Sequence, residues 1–450
     1  MSPAAPGERQ APLWAALAFG VWAAAIAFQP LLAAPAAAVL LAWWTLRTPA
    51  RWLGVFLASA LLLPPLPIPI GDSGPHPSLV FAAFGIVAGM LRLGDWHAAP
   101  GSLNRAFLAL FGVMLASVAP AAFYSGATAA AGSLSRVLLF GISVYVFFYA
   151  VHGPGRAIDP ARAVRLLYAA AIAAALFACV DFYFQFPAPA GYGPQFVWLD
   201  SGIYRRAQGL FYEASTLGNF CAFFLVMIAV ALSRPRDESP VPRQWLAPGA
   251  AVLLAALVLS YSRASLLNVA VALAVLGWRN RRRIPLWRVA ALAAAGALLT
   301  WLVFPVFVEA YWLRLSASAE YFFSATEGVL SGRVASWRTL VDWAAANPWQ
   351  ALTGIGYKTL PYSDYLGAPV VADNMYLSLL VETGIAGLAA LLWLNVAIVR
   401  AALRARESLY STWILCFWAG QMVQMLSGDL LTYWRVLPVY FLVLAFAARS

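Results

Sequence analysis

LAPGAAVLLAALVLSYSRASLLNVAVALAVLGW, residues 246–278, decides how this chain is organised. As a single helix the stretch is too long for a bilayer, whose hydrocarbon core takes about 20 residues to cross. It would also leave Arg243 and the RNRRR cluster at 279–283 on opposite faces. Broken at 260–263, it becomes a hairpin of two short apolar helices, with both basic flanks on one side and Arg263 at the far tip. The broken version is the one the rest of the chain supports.

Working outward, the mean hydropathy is +0.77, and only 10% of the 450 residues are charged while 63% are hydrophobic. That leaves too little polar surface to cover a soluble globule. Apolar segments run from 11–29 and 31–46 through 286–308 to 374–399, 408–426 and 431–448, separated by short arginine-bearing links. The expectation is an all-α polytopic membrane protein with roughly twelve to fourteen spans. With a cytoplasmic N-terminus, arginines 47, 51, 92, 105, 156, 162, 165, 234, 236, 243, 279–283, 400–406 and 449 all fall on one side. The early links 64–77 and 120–132 on the other side carry no lysine or arginine, which is the positive-inside pattern. The net charge of +11 is therefore read as anchoring to anionic lipid, and no nucleic-acid partner is expected. The first apolar run continues into further spans, so it does not read as a cleavable signal. The expected division is a membrane bundle over 1–308, a large periplasmic loop over 309–372 and a second bundle over 373–450.

Cys179, Cys221 and Cys416 lie in apolar segments without metal or redox spacing, and His76, His97 and His152 sit in loops far from the polar islands. No metal and no cofactor is expected, since no DxD-like pair, P-loop or zinc-ligand spacing is present.

Polar residues that do not follow the inner links gather in four islands: YRRAQGLFYEAS (204–215), SYSRAS (260–265), SGRVASW (331–337) and DNMYLSLLVETGIAGL (373–388). Charge is costly near hydrocarbon and tends to be retained there for function. On the expected topology all four lie at the periplasmic surface. Arg263 and Arg333 suit an anionic lipid head, because a guanidinium binds phosphate oxygens bidentately and stays charged when partly desolvated. Simpler roles exist beside these, a snorkelling hairpin cap for Arg263 and a headgroup anchor for Arg333. Asp373 stands where a helix N-cap is expected, and Glu213 where helix-dipole complementarity suffices. Arg205 and Arg206 are loop residues suited to surface anchoring or substrate contact, and Asp429 and Arg435 flank the last span, where they would pair locally or line the same cavity. Residues 333–346 have helical spacing with Val334, Trp337, Val341 and Ala344 on the apolar side. Asn347 and Pro348 end that helix, and the glycines at 354 and 356 form a tight turn.

These islands, in this order, resemble the O-antigen ligase and polysaccharide polymerase superfamily of bacterial inner-membrane glycosyltransferases. The matching residues are Ser262-Arg263, Gly332-Arg333 before Trp337, then Pro348 with Gly354 and Gly356, and Asp373-Asn374 opening Leu377, Glu382, Gly384 and Gly387. The resemblance implies that Arg263 and Arg333, with Arg206 and Arg205, bind the diphosphate of an undecaprenyl-linked glycan. Asn374, Arg338, Asp429 and Arg435 would line the cavity. Asp373 or Glu213 would take the proton from an acceptor sugar hydroxyl in a metal-independent, inverting transfer. Family ligases carry a histidine where this chain has Asp373. GLFYEAS resembles the F-x-E-P-S element of exopolysaccharide polymerases, with Ala214 in place of the proline, so a polymerase of O-antigen or exopolysaccharide repeat units is the leading expectation. A ligase acting on lipid A core or a protein hydroxyl, and a transporter or flippase, are the alternatives. Implied partners are the lipid-linked donor, an acceptor glycan, membrane lipid and a chain-length regulator. The implied location is the inner membrane, with both termini cytoplasmic.

Overall fold

The computed structural model describes residues 33–66, 68, 74–97, 100–187, 193–199, 202–281, 333–405 and 407–449, with positions 294, 298, 301, 302, 308 and 312 of the remaining stretches. The expected first span 11–29, most of 286–308 and the loop residues 309–332 lie outside the described residues, Gly332 among them. Helices α1 (Ala33–Leu46), α2 (Pro49–Leu62) and α3 (Ser78–Met90) lead into α4 (Ser102–Ala116), α5 (Val118–His152) and α6 (Pro160–Phe184). An antiparallel hairpin follows, β1 (Phe196–Leu199) with β2 (Gly202–Arg205), Phe196 opposite Arg205. Then come α7 (Ala214–Leu232), α8 (Arg243–Leu259) and α9 (Arg263–Arg279). After the next stretch lie α10 (Arg333–Ala346), α11 (Pro348–Thr353), α12 (Met375–Arg404), α13 (Leu409–Gln424) and α14 (Leu437–Arg449).

The protein is an all-α polytopic membrane protein. Among the described residues, four helical stretches are long and apolar enough to cross a bilayer: Ser102–His152, Pro160–Phe184, Ala214–Leu232 and Met375–Arg404. Shorter apolar helices (α2, α3, α8 and α14) complete the bundle. Helices α7 and α14 are apolar on nearly every face and are buried accordingly, and they form the centre of the molecule. Helix α5 packs on α14, α12 on α4, and α9 on α13.

The stretch 246–278 is broken where its composition requires. Helix α8 ends at Leu259, Tyr261 turns with φ +52°, and α9 starts at Arg263. The β-hairpin, which the sequence did not announce, lays Val197 and Tyr204 over Val258 and Tyr261 at this tip. Two expectations need correction. The link 120–132 is helical, part of α5, and only Gly126 (φ +84°) interrupts it; its small residues sustain a helix as easily as a turn. On α10 the fully buried residue is Leu340, whereas Val341 is about half exposed, so the helix packs one position round from the expected face.

Helix α12 is also broken. Gly384 takes φ +73°, a left-handed conformation that glycine adopts without a Cβ clash. The carbonyls of Val381 and Glu382, which the break frees, accept hydrogen bonds from Ile355 N–H (3.1 Å) and Gly356 N–H (2.8 Å). Gly354 and Gly356, expected as a simple turn, thus thread a strand-like segment through the break. A Cβ on Gly356 would strike Ala121 of α5, and one on Gly384 would strike the Leu352 carbonyl. Tyr357 N–H then reaches Ser117 Oγ at the α4–α5 junction (3.2 Å).

Gly384→Ala therefore combines a disfavoured φ with a backbone clash and should destabilise the protein by about 1–3 kcal/mol. A lower midpoint of thermal unfolding in detergent, followed by tryptophan fluorescence, checks this; an unchanged midpoint contradicts the interlock.

Candidate active site

Helix α12 begins with a cap, and the residue that provides it is Asn374, not Asp373. The Asn374 side-chain oxygen accepts from Tyr376 N–H (3.0 Å) and Leu377 N–H (3.1 Å). Its side chain is buried in that role and is not available to line a cavity. Asp373, relieved of capping, sits at φ +44° and turns back to α10, where its Oδ2 accepts from Arg333 Nε at 2.9 Å. Trp337 Nε1 donates to the Ala372 carbonyl (2.7 Å), so α10 is pinned to the segment that presents Asp373. Arg338 lies on the exposed side of α10.

Glu213 occupies the N-cap position of α7 but makes no capping bond; its Oε2 accepts from Ser215 Oγ at 2.8 Å. Burial pushes its carboxyl above the ordinary glutamate range, and the negative charge of Asp373 pushes the same way. The Ser215 hydrogen bond and the positive charges of Lys358 and Arg206 oppose the shift without cancelling it. Tyr433 lies beside the same group, its phenol held protonated by burial and then by the charge of Glu213.

The preceding loop ties this carboxylate to the α8–α9 tip. Arg206 Nε donates to the Ser260 carbonyl (2.9 Å), and Ala207 N–H to that of Leu259 (2.8 Å). Gly218 in α7 has no side chain because Ser260, Ser262 and Ser265 fill the space where its Cβ would stand. Ser262 and Ser265 are hydrogen-bonded to each other at 2.7 Å, and Arg263, partly exposed, opens α9 between them. Arg206, bonded to the SYSRAS tip, and Asp373, paired with Arg333, both act electrostatically on Glu213. Residues from all four islands take part.

Other expected residues are engaged differently. Arg205 pairs with Asp181 near the end of α6 (3.3 Å). Asp429 and Arg435 do not pair with each other. Asp429 pairs closely with Lys358, and Arg435, buried, donates to the carbonyls of Ala60 (2.6 Å), Leu63 (2.8 Å) and Leu210 while lying over the Phe211 ring. Arg435 is therefore a staple between the end of α2 and the 206–213 loop. His76 is not remote, as its loop position implied, because it shares the Leu63 carbonyl with Arg435. Since a carbonyl only accepts, His76 Nε2 carries the proton (2.9 Å), leaving Nδ1 to accept from Ser78. Burial and then the Arg435 charge lower its pKa to about 4, so it is neutral.

Sequence reasoning missed Lys358. It is the only lysine in a chain with 29 basic residues, a signal that was available. It is buried at φ +58°, just after the segment threaded through the α12 break. Burial lowers the pKa of its ammonium, while the charges of Glu382, Glu213 and Asp373 act in the opposite direction. Glu382 lies in the same cluster, accepting from Leu360 N–H. Among the described residues no group of three histidine, cysteine or acidic side chains is placed to hold a metal ion.

Residues 248–392 match the family model described as O-antigen ligase. Over this segment the chain is similar to that family, which supports the O-antigen ligase and polymerase superfamily. The match supports a membrane glycosyltransferase of that type, with a lipid-linked glycan and an acceptor as substrates. The matched interval contains Arg263, Arg333, Lys358, Asp373 and Glu382, whereas Glu213, Arg205, Arg206, Asp429 and Arg435 lie outside it. A comparison with curated proteins finds no match.

Asn374→Ala should cost about 1 kcal/mol through loss of the α12 cap. Asp373→Asn should change stability by less, because its pair with Arg333 is partly solvated and such pairs contribute at most ~1 kcal/mol. Thermal unfolding of the two purified variants distinguishes the assignments, and the reverse order would return the cap to Asp373.

Proposed function

We propose that this protein polymerises polysaccharide repeat units, moving a glycan from undecaprenyl diphosphate to a sugar hydroxyl at the periplasmic face of the bacterial inner membrane. The observation that carries this reading is the convergence on Glu213 of the charges of Asp373, Lys358 and Arg206. Arg263 and Arg333, joined by Arg206, hold the diphosphate. As the bond from the anomeric carbon to the phosphate oxygen breaks, its electron pair passes to the diphosphate, and fixed guanidinium groups stabilise that growing charge. The acceptor oxygen forms the new bond from the opposite face, inverting the anomeric centre, and its proton passes to a carboxylate. No step calls for a metal.

Glu213 is the better base of the two candidates. Asp373 is engaged by Arg333 in an ion pair, while burial raises the affinity of Glu213 for a proton. Asp373 instead holds Arg333 ready and yields it to the incoming phosphate. The division into bundles 1–308 and 373–450 around the loop 309–372 belongs to this proposal, as do the cytoplasmic termini and a partner that regulates chain length. Transfer of finished polymer to lipid A core is the second reading, favoured by the description of the matched family. A deletion strain separates them: loss of long chains marks a polymerase, and loss of attachment marks a ligase.

Arg263→Ala and Arg333→Ala should each abolish polymer in cells at normal protein levels, and the lysine variants should remain impaired because the planar fork is lost. Gel profiles of the polysaccharide report the outcome, and wild-type ladders from both alanine variants would remove the diphosphate clamp.

Glu213→Gln should lower turnover of lipid-linked repeat units by roughly 10²–10⁴-fold. The sign of the pH dependence follows from the raised pKa. The base must be deprotonated, so activity should fall as pH drops through a value above 4.5, the ordinary glutamate figure. The Gln variant should lack this acid limb; an unaltered limb would return the role to Asp373.

A further inference from the structure

Beside the 206–213 loop lies a cavity of about 190 Å³ that the transfer chemistry leaves unused. Its walls include Phe177 and Asp181 from the end of α6, Phe186, and Arg205, Gln208 and Leu210 from the loop. We propose that this cavity is the acceptor subsite and that it takes one uncharged, hydroxyl-rich sugar ring, a proposal that rests on the glycosyltransferase reading above.

Three observations carry it. First, Asp181 stands in the last turn of an apolar helix, where the helix dipole disfavours a negative charge. Arg205 compensates it at 3.3 Å, and both side chains are largely buried, so the wall presents a neutral but strongly polar pair. Gln208, also buried, adds a carboxamide that is held in place through Gln195 N–H and the Gly193 carbonyl. Second, the remaining wall is apolar, with two phenylalanines beside three prolines and Leu210. The rings of Phe177 and Phe186 lie nearly parallel, 18° apart and 6.2 Å between centres, with Phe184 stacked on Phe186. A few convergent polar groups in an apolar cleft are the usual make-up of a small-molecule site. An anionic lipid head would be repelled by Asp181, and an isoprenoid tail would leave the ion pair without a partner. A sugar ring uses both walls, its hydroxyls on the charged pair and its C–H face on phenylalanine. Third, the cavity is next to the proposed base. Leu210 lies three residues before Glu213, and the Gln195 side chain that accepts from Ala214 N–H belongs to the residue whose main chain binds Gln208. In this proposal Arg263 and Arg333 serve the donor, and Asp181 and Arg205 serve the acceptor.

The test uses the full-length protein reconstituted in liposomes with two probes. The donor is radiolabelled lipid-linked repeat unit from the producing cells, and the acceptor is the free oligosaccharide released from the same lipid by mild acid. The double variant Asp181→Asn/Arg205→Gln leaves no lone buried charge, and Phe186→Ala truncates a ring that is 44% exposed, so its folding should be intact. Each should raise the KM for the acceptor roughly tenfold, the scale of a lost hydrogen bond to a charged group, with kcat and the donor KM retained. An unchanged acceptor KM in Phe186→Ala overturns the subsite, as does a rise in donor KM in place of acceptor KM. If the wild-type protein itself joins no donor to the acceptor, the failure belongs to the glycosyltransferase reading and not to the cavity.

Discussion

A helix that breaks inside apolar surroundings must find new partners for the main-chain groups it exposes, since each one left unpaired costs several kcal/mol. The break at Gly384 meets this requirement through a segment from earlier in the chain. The amides of Ile355 and Gly356 enter the gap, and the glycines on both sides exist because nothing larger than hydrogen fits between the two backbones. This contact fixes the depth at which the chain passes through the bundle. From it follow the burial of Lys358 two residues later, the place of Glu382 beside it and the approach of the 357–372 segment to the start of α12. The arrangement of charge at the candidate site is a consequence of that backbone contact.

The charges then constrain one another. Burial disfavours the charged form of Lys358, yet Asp429 pairs with it and the negative charges of Glu382, Glu213 and Asp373 oppose that tendency. Glu213 is in the mirror situation, with burial favouring its neutral form and Arg206 and Lys358 opposing. A site built this way raises the proton affinity of one carboxylate, Glu213, while a neighbouring carboxylate, Asp373, is ion-paired with Arg333. Two like groups given different surroundings take different roles.

The sequence made much of this legible, for identifiable reasons. The class of protein and the break at 260–263 follow from hydropathy and arginine placement, because a bilayer penalises misplaced charge so heavily. The four islands were visible for the same reason. Partner choice was not. Whether Asp373 or Asn374 caps α12 turns on one backbone dihedral, and both residue types cap well. Asp429 and Arg435 are close in sequence and of opposite sign, but a 3₁₀ turn at 430–432 sends them to different neighbours. Glu213 and Asp373 lie 160 positions apart, and only tertiary packing brings their charges within reach of each other. Arg205 was grouped with Arg206 by adjacency, although neighbours on an extended strand end face opposite ways. Lys358 was passed over because its surroundings in sequence carry no charge; its partners come from three other parts of the fold.

A second set of polar groups explains why the Arg263 tip holds its position in a bundle where apolar packing gives little directionality. Along α9, Ser265 and Asn268 follow Arg263 towards the middle of the bundle. Asn268 Nδ2 donates to Gln421 Oε1 (2.6 Å) and Gln424 Oε1 (3.0 Å) of α13, and Gln424 Nε2 donates to Ser265 Oγ (3.2 Å). Asn219 of α7 donates to the same two oxygens, and Tyr440 of α14 donates to Asn219 Oδ1 (2.7 Å). Each such bond between membrane helices contributes only about 0.6 kcal/mol, so the network adds modestly to stability. Its geometry matters more. A carboxamide oxygen shared by α7 and α9 leaves one register in which both donors are satisfied, and sliding α9 by a residue would strand several buried polar groups at once. Glu213 stands at the start of α7 and Arg263 at the start of α9, so the network that fixes those two helices also fixes the spacing of the proposed base and the proposed phosphate-binding cation.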